Sequence, residues 1–484
     1  MEIWFSILPS IIAIILAIWT KQVIPSLLAG LWFGSWIVAD SFLQSFNQTI
    51  SYVIGVLTDP NNMNVLLFLY IFSGFVSLIQ VSGGIQAFAK LMAKYLTNSK
   101  RTLAALWGLL PITFIDCGFR VVATGSIIKP IAEKQNISKE RMAYMLNNSA
   151  SPVIILIPFA TTFVGYVLGV IEKGVQVAGI EGSAFSLFIR SLPFNFFSYL
   201  SILIALLSIV PMFNFGKMKS LLQKSTTSHR KEAFGVEFSE EFDHKEKAHT
   251  AKDQTGNAMK GSMEHDHDMD EKSVLKPRLV NLIFPLAVLI PLSFFLMMGS
   301  DEPARSMLVA LAVTSLATAF IYRFQGIKLK TLMDRFFKGG NKLIVTITIL
   351  AVAWPLSDVS QDLGRLIETT LGENLSSNLV PVLLFIVTGA VAYFIGSSWG
   401  SWALMMPIGM TLAVTTGGSV PIVIAAVLSG GTFDDVTSPV SGMTAMSAGI
   451  AEADHMKYVK AMSPYNFAAA SLAAVLFLAV PWVL

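Results

Sequence analysis

Sixty consecutive residues, Asn374 to Phe433, carry no charged side chain. A single membrane crossing needs only about 20 apolar residues, so this run is too long for one helix and too apolar for water. Pro407 and the glycines at 396, 400, 417 and 418 interrupt it, which predicts a re-entrant hairpin over 377–415 leading into another helix. The whole chain agrees: 54% of its 484 residues are hydrophobic and 13% are charged, against roughly 25% charged in soluble domains. The expected fold class is an all-α polytopic membrane protein, because a helix satisfies its own backbone hydrogen bonds in lipid.

Uncharged runs predict five spans in each half. The first five are Ile3–Trp19, Val23–Ala39, Met63–Val81, Val153–Val170 and Leu192–Met212; the others are Leu279–Met298, Ser306–Tyr322, Leu343–Ser357, Pro421–Ile450 and Tyr465–Val483. The first run has no basic leader and no A-x-A site, so it reads as a span and not a signal peptide. A first hairpin is predicted over 102–131, with Asp116-Cys117-Gly118-Phe119-Arg120 at its tip. Two helices are predicted to be discontinuous: 142–170, broken by Asn147 to Pro152, and 420–450, broken by Gly430 to Pro439. Both breaks contain Ser-Pro-Val, at Ser151–Val153 and Ser438–Val440, and proline disfavours helix in the residue before it. Residues 214–278 form a charged, His-containing linker that divides a first unit, 1–213, from a second, 279–484.

Five crossings plus a hairpin make an odd unit, so a second copy must enter the membrane upside down. That is an inverted repeat, with its site at the midplane between discontinuous helices. Most Lys and Arg fall on the linker side, and only Lys173, Arg190, Arg305 and Arg365 fall opposite. The positive-inside rule then puts the linker in the cytoplasm and both termini outside a bacterial-type inner membrane. The single cysteine, Cys117, excludes an intrachain disulfide, and the lack of a P-loop argues against ATP-driven transport. The chain reads as a transporter and not an enzyme, without cofactor, with the lipid bilayer, Na+ and H+ as partners. No nucleic acid is expected, and a homodimer is left open.

Charges at membrane depth are costly and usually face a cavity or a partner. Four fall deep: Asp116, Arg120, Asp434 and Asp435. The adjacent Asp434 and Asp435, with Thr432, Thr437, Ser438 and carbonyls freed by a break, offer the hard oxygen donors that a small cation needs. Two like charges so close also favour sharing the site with a proton. The competing reading makes them caps of a half-helix N-terminus. Asp116 either contributes to the cation site or pairs with Arg120 to hold the hairpin tip; Arg120 can instead receive a solute carboxylate. Ser397, Ser398, Trp399 and Ser401 at the second tip, and Asn147, Asn148, Ser149 and Ser151 at the first break, line a polar substrate site or serve ordinary loop chemistry. In the linker, His265 and His267 within Glu264–Asp268 can bind a divalent metal or remain solvated, and His455 beside Asp454 can sense pH.

The run Ser429-Gly430-Gly431-Thr432-Phe433-Asp434-Asp435-Val436-Thr437-Ser438-Pro439-Val440-Ser441 resembles the S-G-x-x-F-G-D-H-x-S-P-I-S-D pattern of NhaC-type sodium/proton antiporters, within the wider ion transporter superfamily. Thr124-Gly125-Ser126, Lys129-Pro130, Ser138 to Arg141, Ala150 to Val153, and Ala353 to Asp358 with Asp362-Leu363-Gly364 are similar to the same group. The resemblance implies sodium/proton antiport, with Asp435 as the family aspartate. Asp434 replaces a usual Gly, Val436 a His, Gly442 a later Asp, Asn147 a first-half Asp, and Arg120 a neutral residue. These differences keep open the alternative of Na+- or H+-coupled transport of a carboxylate or amino acid.

Overall fold

The computed structural model describes residues 8–39, 41–92, 98–210, 278–297, 300, 303–359 and 375–483; their regular structure is all helical, with no strand among them. The linker and its histidines lie outside the described residues, as do Asp362-Leu363-Gly364. The helices before the linker are α1 (Leu8–Thr20), α2 (Val23–Ala39), α3 (Phe42–Thr58), α4 (Pro60–Gln80), α5 (Gly84–Met92), α6 (Ser99–Gly108), α7 (Leu110–Thr113), α8 (Cys117–Lys134), α9 (Lys139–Asn148), α10 (Ser151–Ile154), α11 (Thr162–Ala178), α12 (Ala184–Ser191) and α13 (Phe196–Leu207). After it come α14 (Val280–Met297), α15 (Pro303–Phe324), α16 (Leu329–Asn341), α17 (Ile344–Val359), α18 (Val380–Ile395), α19 (Ser398–Thr415), α20 (Val420–Thr437), α21 (Gly442–Ile450) and α22 (His455–Ala479). Among the described residues, six helices are long and apolar enough to cross a membrane, or up to nine when each sharply bent pair counts as one span. The protein is a multi-pass membrane protein.

Both expected hairpins have helix–turn–helix geometry, and capping chemistry explains their tips. Asp116 is extended and its carboxylate accepts from Phe119 N, starting α8. Ser397 is likewise extended and accepts from Gly400 N, starting α19. These contacts satisfy amides that a helix start leaves unpaired. Gly396 ends α18 at φ +77°, and a Cβ there would lie 2.7 Å from Val440 O. Only glycine allows that turn to sit against the 438–441 break.

The core is built around α20, which is almost wholly buried. It meets α18 through Gly430, where a Cβ would fall 2.8 Å from Thr388 Cβ and 2.9 Å from Gly389 N. It meets α19 through Gly431, which lies against the Trp402 indole. Without a hydrophobic drive between helices in lipid, small residues permit the close approach that dispersion requires.

One expected break is relocated, and the other falls where expected but is longer. The second was placed at Gly430 to Pro439, but α20 runs unbroken to Thr437 and the interruption is Ser438–Ser441. Gly430 and Gly431 are packing positions, not breakers, and Asp434 and Asp435 are therefore helical. In the first half, a span was expected from Val153, yet Ser151-Pro152-Val153-Ile154 forms one turn and helix resumes only at Thr162. Pro158 explains the gap, since it disfavours helix at Ile157, and Ala160 adopts φ +54°. The expected span Leu343–Ser357 is the second limb of a bent pair: α16 and α17 meet at 44°.

Candidate functional site

The last turn of α20 carries Asp434 and Asp435, 0% and 4% exposed. A helix C-terminus has partial negative charge, so two carboxylates there meet an unfavourable dipole. The capping role considered from sequence needs an N-terminus, and this is the opposite end. Ser398 Oγ, at the second hairpin tip, donates to Asp435 Oδ1 at 3.1 Å. Neither oxygen of Asp434 accepts a hydrogen bond, nor does Asp435 Oδ2. Ser151 Oγ, close to Asp435, and Thr437 Oγ1 are also buried without a hydrogen bond. No ion pair involves either aspartate among the described residues. The arrangement is a buried cluster of oxygen donors lacking positive charge, and it needs a cation or a proton to offset the cost of burying carboxylates.

The carbonyls that end α20 are held by side chains from elsewhere. Asn147 Nδ2 donates to Asp435 O at 3.0 Å and to the Tyr458 hydroxyl at 3.0 Å, while Thr444 Oγ1 donates to Asp435 O at 3.1 Å. Asn466 Nδ2 donates to Val436 O. Thr432 Oγ1 donates to Leu428 O at 2.8 Å within its own helix, whereas Ser438 Oγ donates to Tyr393 O at 2.7 Å and, like the Ser398 amide, lies close to Asp434 without a well-formed hydrogen bond to it.

The other predicted residues divide clearly. Asp116 Oδ1 takes Phe119 N at 2.7 Å and Oδ2 takes Thr162 Oγ1 at 2.9 Å. Arg120 is fully buried. Its Nε donates to Ser149 O, its Nη1 to Thr113 Oγ1 at 2.6 Å and its Nη2 to Leu106 O at 2.9 Å. The alternative of an ion pair with Asp116 is not realised among the described residues; Arg120 instead clamps α6, α7 and the end of α9 together. Asn148 accepts from Ser201 Oγ at 2.6 Å and donates to Tyr144 O, and Ser149 Oγ donates to Leu146 O. Those contacts turn both toward helix packing. Ser401 Oγ donates back to Ser397 O at 2.9 Å, while the Trp399 carbonyl accepts from the Tyr166 hydroxyl, with the two rings edge to face at 4.6 Å. His455 Nε2 lies 2.7 Å from Pro439 O, linking the start of α22 to the break. Sequence reasoning missed Asn466, Thr444, Tyr458 and Thr162; Asn466 was the one visible signal, an amide in an apolar span.

A sequence profile described as the Na+/H+ antiporter family matches residues 153–482. The chain belongs to that family. This family member is therefore a secondary transporter, as the NhaC-type resemblance implied. It is 26% identical over 509 aligned positions to an uncharacterised protein of Haemophilus influenzae, covering 99% of this chain and 91% of the relative. Its fold is similar to that of Neisseria gonorrhoeae MtrF, described with a class of antimetabolite efflux pumps. The TM-score is 0.56 at 14% identity, over 93% of this chain and 86% of MtrF.

Proposed function

We propose that this antiporter-family protein exchanges Na+ for H+ at Asp434 and Asp435, with Ser398, Ser151 and Thr437 completing the oxygen donors and Asp116 contributing from the first hairpin. One observation carries the reading: three of four carboxylate oxygens on two adjacent buried aspartates accept no hydrogen bond. A bound sodium ion or a proton neutralises the same group, so one displaces the other, which is the minimal logic of antiport. The two halves, 1–213 and 279–484, are read as inverted copies around this site, with a cytoplasmic linker and both termini outside the inner membrane. Transport of an organic anion held by Arg120 draws little support, because each guanidinium nitrogen already donates within the protein.

The test is reconstitution in liposomes with a lumenal pH dye, adding sodium, lithium, potassium or candidate carboxylates. Sodium alone should drive proton movement, and Asp435→Asn should abolish it. Full exchange by Asp435→Asn, or proton movement only with an organic solute, overturns the proposal.

A further inference from the structure

Asn195 sits where the helical segments Ala184–Phe194 and Phe196–Leu207 meet at 45°. Its side chain is buried; Oδ1 accepts from Ser429 Oγ at 2.8 Å, and Nδ2 has no partner. One turn further along α13 comes Ser198, fully buried, whose Oγ has no partner either. A serine inside a helix commonly bonds back to a carbonyl of the preceding turn, as Ser35, Ser191 and Ser208 do here. Ser198 does not.

Direct contacts on two sides fix where Ser198 stands. Towards α20, the helices run parallel: Asn195 meets Ser429, and the Phe197 and Phe433 rings lie 5.6 Å apart. Three residues on from the first contact, Ser198 comes level with Thr432, one turn before Asp435. Towards α9, the helices run antiparallel: Arg141 Nη2 donates to Ser208 O at 2.8 Å, and Ser201 Oγ to Asn148 Oδ1 at 2.6 Å. The adjacent Asn147 holds the Asp435 carbonyl, so Ser201 is level with Asp435. Beyond Asn148, α10 packs against both α13 and α20 and brings Ser151, with another unpartnered Oγ, to the height of Ser198. Asn195, Ser198 and Ser151 thus make a row of buried, unpartnered polar atoms that leads to the two aspartates.

We propose that this row between α13, α10 and α20 is the cation's approach path to Asp434 and Asp435, with Ser198 and Ser151 the last hydroxyls before the carboxylates. Buried polar atoms without protein partners are met by water or an ion. Hydroxyl and amide oxygens then replace part of the hydration shell that a cation sheds on the way in. Half a turn of the Asn195 amide offers Oδ1 in place of Nδ2, because the Ser429 hydroxyl both donates and accepts. None of these side chains is charged, so the row passes an ion without trapping it and leaves firm binding to the aspartates, the balance that conduction requires. Close helix packing by small residues would explain serines here, but not hydroxyl and amide groups left unpaired at a cost. The destination and the ion rest on the sodium reading above; the wetting of the row does not.

Two measurements on the purified full chain test it. In a Cys117→Ala background, Ser198→Cys should be modified by aminoethyl methanethiosulfonate, a small water-soluble cation, with the adduct read by mass spectrometry, and sodium should slow the reaction. Leu203→Cys, on the exposed face of the same helix and turned to lipid, should stay unmodified. Ser198→Cys modified no faster than Leu203→Cys overturns the proposal. In the otherwise unchanged chain, Ser198→Val should slow sodium-driven proton movement in liposomes about tenfold or more, the scale of one lost hydrogen bond to a charged species, while sodium-dependent thermal stabilisation keeps its half-maximal concentration. Ser198→Thr, which retains the hydroxyl, should stay near wild type. A shifted half-maximum at an unchanged rate makes Ser198 a ligand and overturns the path. Labelling of Ser198→Cys that lithium or potassium slows but sodium does not supports the path and moves the fault to the ion assigned under the proposed function.

Discussion

Replacing Arg120 by Met separates a clamp from a solute receptor. The substitution removes three hydrogen bonds from a charged donor to Ser149 O, Thr113 Oγ1 and Leu106 O, and leaves those three buried acceptors unpaired at about 1–3 kcal/mol each. Against this, Met no longer buries a guanidinium, which returns several kcal/mol. The net loss should be about 2–4 kcal/mol, the cost of the orphaned acceptors less the relief of burying no charge. Thermal unfolding in detergent, followed by size-exclusion fluorescence, should then show a melting temperature several degrees lower, while the sodium KM in liposomes stays close to wild type. Arg120→Lys should fall between, because lysine keeps the charge but lacks the planar fork. An unchanged melting temperature, or a raised KM for a carboxylate solute without loss of stability, would refute the reasoning.

Further expectations follow from the same geometry. Ser398→Ala removes the hydrogen bond to Asp435 Oδ1 and should weaken sodium stabilisation by about tenfold or less, the scale of one hydrogen bond; no change would argue against the second tip as a ligand. Gly431→Ala puts a Cβ 2.1 Å from Trp402 Nε1, whose own hydrogen bond to Leu428 O holds the indole in place. That overpacking should cost about 3 kcal/mol and be visible as a lower melting temperature. Asn466→Leu leaves Val436 O without its amide donor and should cost about 1–3 kcal/mol, again read by melting. Hydrogen bonds from Lys129 and then Lys139 hold the exposed Glu452 carboxyl below the usual glutamate range. A depressed carboxylate contributes above its unfolded pKa and loses that contribution as pH falls through the folded value. The link should therefore be intact at neutral pH, where Glu452→Gln is expected to alter exchange rate more than melting temperature, and indistinguishable from wild type in strong acid.

The helix starts at Asp116 and Ser397 were legible because their signals are local: each caps the next helix through a contact three residues away. The second break was misplaced because glycine has two uses in lipid. Gly430 and Gly431 look like breakers, yet they serve close approach to α18 and α19, and only the neighbouring helix decides which use applies. Pro158 was a readable stop signal that the nearer Ser-Pro-Val overshadowed. The partners of Asn147 were not readable at all: Tyr458 is 311 positions away, and no period or motif links them. Arg120 was read correctly as buried and costly, but its partners are carbonyls, which every residue possesses and no sequence pattern marks.

The amide of Asn147 grips the backbone of Asp435, while the carboxylate of Asp435 remains available for other chemistry. Any motion that carries one discontinuous segment past the other must drag this joint along or trade the Asp435 carbonyl for a new donor. The two segments are thereby tied at one joint, so a displacement of the Asp435 backbone that keeps this bond must move the end of α9 with it.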